Sequence, residues 1–175
     1  MRTRSPKLFA CALIAATVLA NSQAACGQSM EERMRAAAGA YERKDFAAAL
    51  AVWKPLAAEG NAEAQTLLGA MYWQGQGVPR DHREAAKWYL KAAEQGYARA
   101  QNDIGFMYGF GEGIPPRDDV QAYKWLSLAI ERYTDKNKAR REQAIEDRAA
   151  LAARMSKAQL AEAERQVREW KPKEH

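Results

Sequence analysis

The chain has 175 residues, of which 47% are hydrophobic, and a formal net charge of +5. Alanine is the most frequent hydrophobic residue and has the highest helix propensity, so the composition favours an all-α fold. Because His82 and His175 are the only histidines, the chain lacks the material for a histidine-rich metal site or a Ser-His-Asp triad.

Residues 1–25 have the three parts of a secretory signal peptide. Three basic residues precede an uncharged stretch at 8–20, and two alanines end the segment at 24 and 25. Because the uncharged stretch is short for a bilayer, we expect no membrane span and an exported, periplasmic or secreted chain. The alternative is a retained membrane anchor. The basic leader supplies much of the net charge, so little argues for nucleic-acid binding.

Cys26 is the one cysteine outside this leader, and a single thiol cannot form an intramolecular disulfide. The sequence QAAC, which ends at Cys26, loosely resembles a bacterial lipoprotein box, but Gln23 stands where an aliphatic residue is usual. A lipid anchor at Cys26 and a free thiol near the terminus therefore both remain open.

The central feature of the chain is an internal repeat. Residues 61–92 recur at 97–129, with a period of 36 that becomes 37 after Pro116, and a partial copy lies at 45–60. A period of this length in an alanine-rich sequence predicts helix pairs stacked into a solenoid. Identical residues in the two full copies include Ala64/Ala100, Gln65/Gln101, Gly69/Gly105, Tyr72/Tyr108, Gly75/Gly111, Gly77/Gly113, Asp81/Asp118, Ala85/Ala122 and Trp88/Trp125.

Each full copy predicts a helix A that ends at a glycine pair and a helix B that begins after an aspartate. Glycine inside helix A, at Gly69 and Gly105, costs about 1 kcal/mol relative to alanine, so we expect the helices to approach closely there. The expected bulky partners that fill the space between the helices are Tyr72, Trp88, Tyr108 and Trp125.

The ends of the helices are also marked in the sequence. Gly60 and Gly96 are expected left-handed C-caps. Capping boxes are predicted for Ser29 with Glu32, Asp81 with Glu84, Asp118 with Gln121 and Ser156 with Gln159.

After Tyr133 the repeat gives way to a charged helical segment and a final helix from Ser156 to Trp170. The final helix has an apolar stripe that we expect to cover the end of the last repeat. Its members are Leu160, Ala163, Val167 and Trp170. The predicted organisation is a signal peptide at 1–25, an N-terminal helix pair at 26–60, repeats at 61–96 and 97–133, and C-terminal helices at 134–175.

The pattern A-x-A-Q-x-x-L-G-x-M-Y-x-x-G-x-G-V-P-x-D-x-x-x-A-x-x-W-Y-x-x-A-A-x-x-G at residues 62–96 resembles the Sel1-like repeat, a relative of the tetratricopeptide repeat. The second copy departs from it at Leu126, where the second aromatic of the W-Y pair is absent. The whole chain is also similar to exported bacterial Sel1-repeat proteins. The resemblance implies a right-handed α-solenoid, with a C-terminal capping helix, that acts as a scaffold or adaptor for a protein or peptide.

In tetratricopeptide-type stacks helix A lines the concave face, so the resemblance implies a binding surface on helix A. Three aromatic residues of this surface differ between the copies and could anchor a peptide; alternatively they pack against neighbouring helices. The candidate residues are Glu63, Thr66, Ala70, Trp73, Gln74, Arg99, Asn102, Phe106 and Phe110.

The sequence contains no catalytic motif that would indicate an enzymatic site instead of a binding surface. GQGVP and GEGIP lack the Gly-Lys-Ser/Thr of a phosphate loop, no serine-hydrolase motif is present, and the Asp118-Asp119 pair reads as a helix cap. We therefore expect no catalytic residue, no metal and no cofactor. The alternatives are a cell-wall-directed enzyme or enzyme subunit with dispersed acids, or a structural or regulatory envelope lipoprotein that depends on Cys26.

Overall fold

The computed structural model describes residues 29–114 and 116–173. The expected signal peptide at 1–25 and Cys26 lie outside these residues. The described residues form α-helices without β-strands, and none of these helices is long and apolar enough to cross a membrane. The helices are α1 (Met30–Glu42), α2 (Phe46–Ala58), α3 (Ala62–Gln74), α4 (His82–Glu94), α5 (Ala98–Phe110), α6 (Asp119–Arg132), α7 (Lys138–Arg154) and α8 (Lys157–Glu169), with a 3-10 helix (Asp135–Asn137) before α7.

The helices pack in chain order. Each helix from α1 to α6 packs on the next one, and α8 returns to pack on α6. Buried side chains form three consecutive clusters, one among α1 to α3, one among α3 to α6 and one between α6 and α7. Each unit thus buries its apolar side chains against its neighbours, which confirms the predicted all-α solenoid.

The aspartate caps of the two helices B are present, but their capping boxes are incomplete. Asp81 and Asp118 accept hydrogen bonds from first-turn amides, as predicted. Their own backbone N–H groups donate to the carbonyl oxygens of Tyr72 and Tyr108 on helix A, at 2.9 Å each. Each aspartate N–H is therefore already paired and forms no return bond with Glu84 or Gln121. The predicted capping boxes are wrong at these two positions. Complete boxes form for Ser29 with Glu32 and for Ser156 with Gln159.

Gly69 and Gly105 permit the close helix contact that the sequence predicts. A Cβ atom added at Gly69 would lie 2.9 Å from the ring of Tyr89, and one at Gly105 would lie 3.2 Å from the backbone nitrogen of Leu126. Tyr89 and Leu126 occupy equivalent repeat positions. The partner of each glycine is therefore this residue of helix B, whereas the expected bulky residues Tyr72, Trp88, Tyr108 and Trp125 pack in the clusters between the helices.

The second glycine of each turn joins adjacent repeats. Gly77 and Gly113 have φ angles of 72° and 74°, which favour glycine. A Cβ atom at Gly77 would lie 2.7 Å from Phe46 Cβ, and one at Gly113 would collide with the carbonyl oxygen of His82. Because Phe46 and His82 are the first residues of α2 and α4, each turn packs on the start of the preceding helix B.

The last helix covers the end of the second repeat, as predicted. Val167 and Trp170 pack against the central cluster, with the Trp170 ring 6.2 Å from that of Trp125. Beyond α8, the backbone N–H of Lys173 donates to the carbonyl oxygen of Glu94 at 2.8 Å, and the side chains of the same two residues form an ion pair. The segment that follows α8 is therefore bonded to the end of α4.

Candidate functional site

A groove of about 390 Å³ lies between α3, α5 and α7, with Tyr89 of α4 at its base. The two helices A supply its long walls because equivalent positions of successive repeats face the same side of the stack. The groove brings together most of the residues predicted for binding: Ala70, Trp73, Gln74, Arg99, Asn102 and Phe106.

The other predicted residues lie elsewhere. Phe110 borders a second, smaller cavity of about 110 Å³, which adjoins the groove because Phe106 lines both. Glu63 is exposed but does not line the groove. Thr66 is fully buried, and its hydroxyl donates to the carbonyl oxygen of Ala62 at 2.8 Å. The expected surface position of Thr66 is thus corrected, since the backbone satisfies its hydroxyl and it packs inside.

Four rings form a continuous aromatic ladder, of which Trp73 and Phe106 line the groove. His82 stacks on Trp73 with centroids 4.2 Å apart, Phe106 meets Trp73 edge-on at 6.2 Å, and Phe110 lies 4.3 Å from Phe106. Trp73 is half-buried, whereas Phe106 and Phe110 are 42% and 64% exposed. The ladder therefore combines both sequence hypotheses: it is packed at Trp73 and open at the two phenylalanines.

The opposite part of the groove carries charge. Arg99 Nε lies 4.0 Å from a carboxylate oxygen of Asp103, which is too far for a hydrogen bond. Among the described residues this buried Nε has no hydrogen-bond acceptor. Arg140, on α7, is exposed and lines the same groove. Burial raises the pKa of Asp103, while the nearby cations Arg99 and Arg140 oppose that rise.

Sequence reasoning missed four groove residues, and two of them carried a signal. Asp103 lies on the helical stripe of Arg99, Phe106 and Phe110, at spacings of three and four residues. Arg140 belongs to a basic cluster with Lys136, Lys138 and Arg141, a pattern that is also typical of a solvated helix face. Tyr89 and Met107 gave no surface signal because both are buried, and Tyr89 comes from helix B.

The Asp118-Asp119 pair has structural roles. Asp118 caps α6, and Asp119 accepts two hydrogen bonds each from Arg117 and Arg154, at 2.8 to 3.0 Å. These hydrogen bonds hold the pKa of Asp119 well below its usual range. A carboxyl held ionised in this way cannot act as a general acid near neutral pH. The pair therefore gives no support to the enzymatic alternative.

Comparison with known proteins identifies the repeats. The Sel1 repeat family matches residues 62–97 and 98–133. The crystal structure of c5321, a protective antigen present in uropathogenic Escherichia coli strains displaying an SLR fold, is similar with 28% identity and a TM-score of 0.73, over 85% of this chain and 31% of that one. A Sel1 repeat protein from Oxalobacter formigenes is 35% identical, with a TM-score of 0.55, over 62% of this chain and 43% of its own.

The chain thus spans less than half the length of either structure. A search of curated proteins gave no significant match. Sel1 repeats are generally protein–protein interaction modules, and the family consists mostly of non-enzymatic scaffold proteins. The two matched segments coincide with the helix pairs α3/α4 and α5/α6, and the solved neighbours share the stacked-helix architecture. The chain thus contains two Sel1 repeats, at residues 62–97 and 98–133.

Proposed function

We propose that this protein is a scaffold that binds a protein or peptide partner in the groove between α3, α5 and α7. The observation that carries the proposal is the exposure of Phe106 and Phe110, which continue the packed ring of Trp73 from the groove into the adjoining cavity. Contiguous apolar surface with a polar border is typical of interaction sites, and aromatic side chains are frequent energetic anchors in them.

The mechanism is display of side chains on a preformed surface. Trp73 is held between His82 and Phe106, and the hydroxyl of Tyr41 lies between the side-chain oxygens of Gln74 and Gln76 and donates to Gln76. Aromatic rings have few rotatable bonds, so little conformational entropy is lost when a partner orders them. The scaffold acts by presenting this surface and requires no bond-making chemistry.

A pull-down tests the proposal with variants of the exposed rings. We expect Phe106→Ala/Phe110→Ala to reduce partner recovery at least about tenfold, because interface aromatics commonly contribute more than 1 kcal/mol each. Unchanged circular dichroism and melting temperature would show that the fold is intact. Met30→Ala is the matched control, since Met30 is also an exposed large apolar residue, 54% exposed and on α1 outside the groove. If the double variant recovers as much partner as the original chain does, groove binding is contradicted.

We also propose that the protein acts outside the cytoplasm. The support is the signal-peptide pattern of residues 1–25, and Cys26 would provide a lipid anchor if it is acylated. Metabolic labelling with a fatty acid separates the anchored form from the unanchored one. Label that is present in the original chain and lost in Cys26→Ser would support a lipoprotein. Label in neither, with the protein in the exported fraction, would support an unanchored protein.

A further inference from the structure

The charged part of the groove contains an incompletely satisfied arginine. Arg99 Nε is buried, and within the described residues no acceptor lies within hydrogen-bond distance of it. The nearest carboxylate, that of Asp103, is 4.0 Å away. A buried donor without an acceptor is costly, and arginine forms its strongest hydrogen bonds with carboxylates. The Arg99 side chain as a whole is 38% exposed and lines the groove, so an anionic group of a partner can reach its guanidinium.

A second cation faces the same space. Arg140 lines the groove from α7 and is exposed, and within the described residues it forms no ion pair. The groove thus contains two arginines and one carboxylate, that of Asp103. The charge balance favours an acidic partner over a basic one.

From these contacts we infer that the groove recognises an extended acidic peptide segment, in which a carboxylate side chain contacts Arg99 and Arg140 and a large apolar side chain covers Phe106 and Phe110. This inference rests on the function proposed above and specifies its partner. The apolar surface continues past Phe106 into the second cavity, so a peptide chain can extend along it. The carboxylate is therefore that of a Glu or Asp side chain within the peptide and not its C-terminus.

The spacing of the two contacts sets the spacing in the peptide. Arg99 and Phe106 are seven positions apart on one helix, which corresponds to about 10 Å at a rise of 1.5 Å per residue. An extended peptide advances roughly 3.3 Å per residue, so its acidic and apolar residues should be about three positions apart. The helix continues to Phe110, which extends the apolar contact to a separation of about five positions.

Blocked peptides test this inference with the full chain. We would measure fluorescence anisotropy with acetylated, amidated, fluorescein-labelled peptides that contain Glu-Ala-Ala-Phe, Gln-Ala-Ala-Phe or Lys-Ala-Ala-Phe between identical Gly-Ser flanks. The Glu peptide should bind about tenfold more tightly than the Gln peptide, and more tightly still than the Lys peptide. Asp103→Asn should strengthen binding of the Glu peptide, because it removes the carboxylate that competes for Arg99.

The decisive variant is Arg140→Glu, since Arg140 is exposed and its replacement leaves the core unchanged. It should abolish the preference for the Glu peptide. Lys136→Glu is the matched control: it changes the net charge equally, but Lys136 does not line the groove, so the preference should persist.

Three results would overturn the inference: equal binding of Glu and Gln peptides, preference for the Lys peptide, or no binding of any peptide. Failure of the proposed function is a separate result. If the pull-down partner depends on Phe106 and Phe110 but not on Arg140, groove binding stands and the acidic specificity is wrong. If the partner is indifferent to the phenylalanines as well, groove binding itself fails.

Discussion

Single glycines determine how closely the helices of a repeat approach each other. At Gly69 the ring of Tyr89 occupies the space that any Cβ atom would need. The position tolerates the low helix propensity of glycine because the ring packs directly on the backbone, and that contact offsets the cost. Gly39 in α1 is different, since an added Cβ atom would meet only the end of the Arg43 side chain, at 3.4 Å.

These two glycines give a matched pair of substitutions. Gly69→Ala should destabilise the protein by about 1 to 3 kcal/mol, because the added methyl group overpacks the Tyr89 contact. Gly39→Ala should stabilise it by about 0.5 to 1 kcal/mol, because alanine has the higher helix propensity and little obstructs the methyl group. Urea unfolding measures both. Gly69→Ala with unchanged stability would show that the helices can separate at little cost.

At the scale of elements, an ion-pair cluster joins the start of α6 to the end of α7. Asp119, the first residue of α6, accepts from Arg154, the last residue of α7, and from Arg117 in the preceding turn. The Asp119 carboxylate is largely covered, whereas both guanidinium groups are substantially exposed. Solvent therefore screens part of the attraction, but the bidentate geometry fixes the antiparallel packing of α6 on α7.

Asp119→Asn should cost roughly 1 kcal/mol of stability at pH 7, given this screening. The folded pKa of Asp119 lies below its unfolded value, so the ion pairs stabilise fully above the unfolded pKa of about 4. Their contribution declines as the pH falls below 4 towards the folded pKa. Urea unfolding between pH 7 and pH 2.5 should show the difference between the original chain and the variant shrinking.

Glu31→Gln serves as the control for this measurement, because the Glu31–Arg35 pair is highly exposed on both sides. It should change stability little at any pH. A difference for Asp119→Asn that stays constant down to pH 2.5 would argue that the substitution acts through helix capping or packing instead of charge.

At the scale of the whole molecule, stability depends on contacts between neighbours in the stack. Trp170 connects the last helix to the repeats, since it packs on Trp125 and lies 4.5 Å beneath the guanidinium of Arg132. The C-terminal segment thereby packs against the central cluster through Val167 and Trp170. Because such stacks couple only nearest neighbours, losing this contact should affect one end more than the other.

Trp170→Ala should therefore destabilise the protein by about 2 to 3 kcal/mol, less than for a fully buried tryptophan. Amide hydrogen exchange should accelerate in α6 and α8 and remain nearly unchanged in α1. Leu160→Ala is the comparison, because Leu160 lies on the same stripe but outside the three buried clusters, and it should cost less. Uniform acceleration along the chain would contradict nearest-neighbour coupling and indicate a single cooperative unit.

The sequence by itself determined the features that short-range chemistry controls. The repeat period required stacked helix pairs, Asp81 and Asp118 marked the starts of helices, and Gly60 and Gly96 marked their ends with φ angles of 99° and 90°. Each of these depends on a few adjacent residues, so a linear pattern encodes it. Most residues of the groove could also be predicted from the sequence, because successive helices A present equivalent positions on the same side of the stack.

Only the tertiary structure decided which residues from distant segments meet. Arg140 joins Arg99 and Asp103 because α7 packs at the end of the stack, and this contact brings together positions about forty residues apart. Thr66 is buried because α3 packs against both α2 and α4, and Tyr89 packs on Gly69 because of the crossing of α3 and α4. Such contacts follow from the relative placement of whole helices, which packing of many side chains sets jointly.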